Sequence, residues 1–104
     1  MAYSIGIDLG GTKIAGVLVN EQLDILAYEK IPVETERRIE KVLNDIASLA
    51  QLLMKKLKKQ NELVGMGIAC PGLIDINRGV MVYSENLNWR NVPVVQILSE
   101  KLNF

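Results

Sequence analysis

Residues 5–16 read IGIDLGGTKIAG, a run that places one carboxylate, two adjacent glycines, a hydroxyl and a lysine where two apolar segments meet. From Tyr3 to Leu9 the side chains alternate, with Tyr3, Ile5, Ile7 and Leu9 on one face and Ser4, Gly6 and Asp8 on the other, which is the period of a strand. Asp8 therefore shares its face with small residues only. A carboxylate at the end of an otherwise buried strand is costly unless a cation, hydrogen-bond donors or water lie beside it, and Gly6 and Gly10 leave room for such a ligand. Gly10 and Gly11 are expected to take positive φ in a tight reversal and, lacking Cβ atoms, to let main-chain N–H groups approach an anion. Thr12 and Lys13 add a hydroxyl and a cation. A plain hairpin turn accounts for the glycines equally well, but not for Asp8. Since a carboxylate and a phosphate repel, their coexistence points to an intervening Mg2+, held by Asp8 through water.

With 104 residues, 49% of them hydrophobic, the chain has material for one ordinary core, hence one domain or one lobe of something larger. Twelve basic residues balance twelve acidic ones, so no global field recommends nucleic acid or an anionic membrane, and the expected partner is a small molecule. One cysteine, Cys70, excludes an intrachain disulfide, and one cysteine without histidine excludes the usual structural zinc ligand sets. The chain opens with no basic-then-apolar leader and has no apolar run long enough to cross a bilayer. The expectation is a soluble, cytoplasmic protein.

Downstream of the glycines, Lys13 to Val19 is nearly all apolar, as in a strand covered on both faces. A polar turn at Asn20 to Gln22 leads to a third strand, Leu23 to Ile31, whose Asp24, Glu29 and Lys30 suit a sheet edge. Without an intervening helix the three strands pair antiparallel. From Thr35, the expected N-cap, the period becomes helical through Ile39, Val42, Leu43, Ile46, Leu49, Ala50, Leu53 and Leu57. Lys55, Lys56, Lys58 and Lys59 then read as the solvated end of that helix, because no aromatic residues interleave them as in a nucleic-acid surface. Leu63 to Cys70 reads as a buried strand returning parallel to the first, with Pro71 and Gly72 breaking it at the end where ligands collect in open α/β sheets. Cys70 reads as a small buried filler. Leu73 to Ile76 and Val80 to Tyr83 flank a turn and suggest a hairpin. Residues 84–91, SENLNWRN, show no periodicity; they either line a site for a polyhydroxy ligand through Asn86 and Asn88, or form a surface loop with Trp89 packed inward. Pro93 opens a last helix with Val94, Val95, Leu98 and Leu102 on its apolar face.

DLGGTK after a first strand, GIACPGLID after the crossover, and NLNW followed by VP together resemble the N-terminal lobe of the ROK family, which groups bacterial sugar kinases, glucokinase-like enzymes among them, with sugar-responsive repressors. The resemblance implies an α/β, ribonuclease-H-like lobe of the actin-like ATPase kind, with strand order 3-2-1-4-5 and a larger second lobe closing an ATP cleft. It also implies ATP-dependent phosphorylation of a hexose, with glucose as the expected acceptor. Asp8 would meet the Mg2+ and phosphates of ATP; Gly10, Gly11 and Thr12 would donate to the phosphate chain, and Lys13 matches the motif. Pro71 and Gly72 would close against the sugar, with Asn86 in a nearby loop. Position 69, often glycine in this motif, is alanine here. The family's catalytic aspartate, in an Asn-Asp pair, its zinc-binding Cys and His motif and most of its adenine pocket are expected beyond Phe104, so that the fragment alone is expected to be inactive and residues 1–104 are an N-terminal lobe. A homo-oligomer stays open for an intact protein of this kind. The alternatives are a sugar-responsive transcriptional regulator, which would carry a helix-turn-helix where only seven residues precede Asp8, and an actin-like ATPase that needs no sugar.

Overall fold

The computed structural model describes residues 2–34, 36–59 and 62–104. The first strand, β1 (Tyr3–Leu9), reverses into β2 (Lys13–Val19), which reverses again into β3 (Ile25–Pro32). A helix, α1 (Ile39–Met54), crosses over to β4 (Leu63–Ala69), which lies parallel to β1, and the sheet order is β3-β2-β1-β4. The antiparallel meander and the parallel return are those expected from the sequence. Val42, Leu43, Ile46, Leu49, Ala50 and Leu53 of α1 are buried in one core with Ile5, Ile7 and Leu9 of β1 and Ile14 and Leu18 of β2. Burying each of the larger side chains is worth roughly 1.5–3 kcal/mol, so this single interface fixes which face of the sheet is covered.

Boundaries differ from the sequence reading where side chains intervene. Asn20 Oδ1 accepts hydrogen bonds from the N–H groups of Gln22 and Asp24, both at 3.0 Å, and Leu23 has φ 67°. This Asx turn delays β3 to Ile25. The expected N-cap, Thr35, lies outside the described residues, and α1 begins only at Ile39. At its entry the Glu34 carboxylate accepts from the Arg38 main-chain N–H at 2.9 Å, from Arg38 Nε at 2.8 Å and from Nη2 at 3.0 Å. Leu57, expected on the helix, follows it in a turn yet remains buried.

The strands are less covered than their apolar sequences suggest. Ala15, Val17 and Val19 of β2 are only half-buried, because α1 covers one face of the sheet. β4, expected to be buried, is the last strand of its sheet, with Val64 68% exposed and Gly67 and Ala69 exposed beside half-buried Met66 and Ile68.

A second sheet is ordered β5-β6-β7, from β5 (Leu73–Asp75), β6 (Val80–Ser84) and β7 (Trp89–Val92), and it leads into α2 (Val94–Leu102). The hairpin of β5 and β6 matches the sequence reading, but β7 corrects it: residues 89–92 pair antiparallel with β6, Ser84 opposite Trp89 and Met81 opposite Val92. Asn88 and Asn91 take φ 56° and 52°, a region asparagine tolerates better than most residues, so a strand hides in a polar, turn-like composition. In α2, Val94, Leu98 and Leu102 are buried as expected, while Val95 is 55% exposed; its N–H donates to the Gly79 carbonyl at 3.1 Å. No helix among the described residues is long and apolar enough to cross a membrane.

The bend after β4 is stapled to β6. Fully buried Ser84 donates its hydroxyl to the Pro71 carbonyl and accepts the Leu87 N–H at 3.2 Å. A Cβ at Gly72 would stand 2.5 Å from the Tyr83 carbonyl oxygen. Gly72→Ala is accordingly expected to cost about 1–3 kcal/mol, read as a lower urea midpoint; an unchanged midpoint would contradict this close approach.

Hydrogen bonds from Arg38 hold the Glu34 carboxyl at about 2, below its ordinary 4.5. A lowered folded-state value means that the pair stabilises above pH 4.5 and that the contribution is lost as pH falls from 4.5 towards 2. In an NMR titration the Glu34 midpoint should lie near 2 and return towards 4.5 in Arg38→Gln; a midpoint near 4.5 in the parent chain would show that the pair does not form.

Candidate functional site

Because β1 and β4 run parallel, their carboxyl ends open on one rim of the sheet. Asp8 is there, exposed, in register with Ala15 of β2 on one side and Ala69 of β4 on the other. Both residues level with it are alanines rather than bulky side chains, so a ligand can reach the carboxylate. Burial pushes the Cys70 thiol up, and the charge of Asp8 adds to that rise. Cys70 is therefore held as a thiol beside the site, which suits a filler rather than a nucleophile.

The reversal after β1 is closed by the Gly10 N–H, which donates to the Lys13 carbonyl at 2.9 Å. Gly10 and Gly11 were expected at positive φ, and the structure corrects this: among the described glycines only Gly79 is left-handed. Space explains them instead. A Cβ at Gly10 would meet the Lys13 carbonyl oxygen at 3.1 Å, and the Cβ position of Gly11 has nothing within 4 Å. Gly11 thus borders open space, with Thr12 and Lys13 exposed next to it.

Pro71 and Gly72 emerge two and three residues after Ala69, on the same rim as Asp8. Through Ser84 their bend is tied to the turn at residues 85–88, where Asn86 is exposed. The three segments singled out in the sequence therefore belong to one connected region. Of the two readings left open for residues 84–91, Trp89 takes the inward one: it is 2% exposed and its indole Nε1–H donates to the Arg37 carbonyl at 2.7 Å.

Sequence reasoning missed Arg37. Its Nε–H donates to the Gly11 carbonyl at 2.9 Å, and its backbone has φ 53°. Neither the side-chain bond, between residues 26 positions apart, nor the left-handed backbone has a local signature. Ser84 was legible only as part of a polar loop.

Among the described residues no three His, Cys, Asp or Glu side chains gather as a metal ligand set. Asp8 is a single accessible carboxylate, and that donor fits Mg2+, which keeps several waters and takes further ligands from phosphate oxygens. Asp8 is the residue that would hold it. A separate cavity of about 410 Å3 has Met66, Ile68, Val80, Val94, Leu98 and Leu102 among its walls and no charged side chain. Its apolar lining does not suit phosphate.

A sequence model of the ROK family matches residues 4–104. The chain is 33% identical to the glucokinase of Streptomyces coelicolor over 94 residues, which is 90% of this chain and 28% of that protein. It is 32% identical to the xylose repressor of Caldicellulosiruptor bescii over 100 residues, 95% of this chain and 25% of the repressor. The chain thus spans between a quarter and a third of the length of these curated relatives. In fold it resembles the ROK family glucokinase from Streptomyces griseus, a structure in complex with glucose and AMPPNP, with TM-score 0.87 and 24% identity, covering 99% of this chain and 31% of that one. The architecture is the ribonuclease-H-like one of actin-like ATPases. With its motif matched along almost its whole length, and a glucokinase and a repressor both about one-third identical to it, the chain belongs to the ROK family.

Proposed function

We propose that residues 1–104 are the N-terminal lobe of an ATP-dependent sugar kinase that transfers the γ-phosphate of ATP to a hexose hydroxyl, glucose being the acceptor. The observation that carries this reading is the position of Asp8: exposed at the carboxyl end of β1, level with Ala15 and Ala69, and next to the open space at Gly11. The 33% identity to a glucokinase supports it.

In this reading Gly10, Gly11 and Thr12 offer donors to the phosphate chain, and Lys13 adds a cation at its flank. Asp8 would hold Mg2+, and the ion when bound would offset the negative charge of the phosphates. Pro71, Gly72 and Asn86 border the sugar. Transfer requires a sugar oxygen to form a bond to the γ-phosphorus while the bond to the bridging oxygen of ADP breaks, and a base to take the hydroxyl proton. We assign that base to an aspartate in the remainder of the protein. The unpaired outer edge of β4 and the apolar cavity beside it are where we place the chain that completes the molecule.

A sugar-responsive regulator is the second reading, favoured by the 32% identity to a xylose repressor. A hexose panel with ATP, applied to the intact protein, separates the two: hexose-dependent ADP release supports the kinase, and sugar binding without ADP release supports the regulator. In the kinase, Asp8→Ala should lower kcat by about 100-fold or more and leave sugar affinity nearly unchanged. Unchanged turnover at saturating Mg2+ and ATP would refute the role of Asp8.

A further inference from the structure

Two carbonyl groups of the turn after β1 are held by the segment that precedes α1. The Gly11 carbonyl accepts from Arg37 Nε and the Thr12 carbonyl from the Val33 N–H, each at 2.9 Å. A trans peptide is planar, so a fixed Gly11 carbonyl sets the Thr12 N–H in the opposite direction, away from Arg37. The carbonyl of Arg37 is in turn held at 2.7 Å by the indole of Trp89. Trp89 pairs with Ser84, whose hydroxyl donates to the Pro71 carbonyl. One bonded chain therefore runs from the glycine turn through Arg37, Trp89 and Ser84 to the bend at Pro71. From a left-handed backbone, φ 53°, Arg37 presents its side chain to Gly11 and its carbonyl to Trp89.

We infer that Arg37 is a positioning residue: it orients the phosphate-facing turn by clamping the Gly11 carbonyl, and it mechanically couples that turn to the acceptor-side segment through Trp89. The inference rests on the kinase reading for the ligand at the turn, but the clamp itself is a property of this chain. It also assigns the guanidinium a hydrogen-bonding duty instead of a direct electrostatic one on phosphate. Gln carries its amide nitrogen as many bonds from Cα as Arg carries Nε, so Arg37→Gln keeps a donor to Gly11 and removes the charge.

The test uses the isotope-labelled 104-residue chain for the amide shifts and the intact protein for nucleotide affinity, the variants Arg37→Ala, Arg37→Gln and Trp89→Phe, and Mg2+ with AMPPNP as the probe. Trp89→Phe removes the indole donor together with part of a buried ring, at a residue with no hydrogen bond to Gly11 or Thr12. It should nonetheless shift the Gly11 and Thr12 amide resonances more than those of Val17 and Val19 further along β2. Arg37→Ala should weaken AMPPNP about tenfold, the worth of one well-made hydrogen bond, while Arg37→Gln stays within about twofold of the parent. Arg37→Gln binding as poorly as Arg37→Ala would overturn the clamp in favour of a charge effect. Unmoved Gly11 and Thr12 amides in Trp89→Phe would overturn the coupling. An intact parent protein that gives no response to AMPPNP would count against the kinase reading alone, and the amide shifts would still decide the clamp.

Discussion

The packing of α1 on β1 sets the direction of every side chain along that strand. Ile5, Ile7 and Leu9 are 2%, 3% and 1% exposed beneath the helix. A strand has a period of two, so a register slip of one residue would exchange them for Ser4, Gly6 and Asp8. Such a slip would forfeit roughly 1.5–3 kcal/mol for each apolar side chain returned to water, and it would place an ionised carboxylate in the core without a partner. Both terms act in the same direction. The outward position of Asp8 is therefore a consequence of the core, and a ligand has only to meet a carboxylate that already faces solvent.

The rim around Asp8 is assembled by topology. A parallel β4 brings its carboxyl end beside that of β1, which an antiparallel return would have sent to the far side of the sheet. The bend at Pro71 and Gly72 follows directly, and the close contact of Gly72 with the Tyr83 carbonyl draws the second sheet against it. Ser84, the one buried polar side chain among the described residues, is satisfied by its bonds to Pro71 and Leu87 rather than left to cost desolvation. Arg37 and Trp89 then connect this assembly back to the glycine turn.

The sequence made the strands and helices legible where period and burial agree. Alternation in β1 and the helical repeat from Val42 to Leu53 both lead directly to the observed core. The candidate site was legible as residue types: Asp8 ends β1, Gly10, Gly11 and Thr12 form the turn that follows, and Pro71 and Gly72 leave β4 on the same rim. What was hidden depends on contacts distant in sequence or on backbone states that composition does not encode. The strand at β7 was obscured because asparagines with left-handed backbones look like turn residues. Of the two reasons read for the glycines, positive φ does not hold and the space left by a missing Cβ does. β4 is less covered than its apolar sequence suggested because it is the outer strand of its sheet among the described residues, with Val64 exposed.

Membership of the ROK family and a ribonuclease-H-like architecture place the chain among proteins that include both a glucokinase and a repressor. The physical distinction between those outcomes lies at the turn after β1, which must meet a metal-bound nucleotide in one case and need not in the other. Mn2+ substituted for Mg2+ broadens the NMR signals of nearby amides, so adding Mn2+ with AMPPNP to the isotope-labelled intact protein locates the ion. The account predicts nucleotide-dependent broadening of residues 8–13, followed by Ala69 and Cys70, with the amides of β3 left sharp. Broadening that needs no nucleotide, or that centres on another acidic patch and spares residues 8–13, would contradict it.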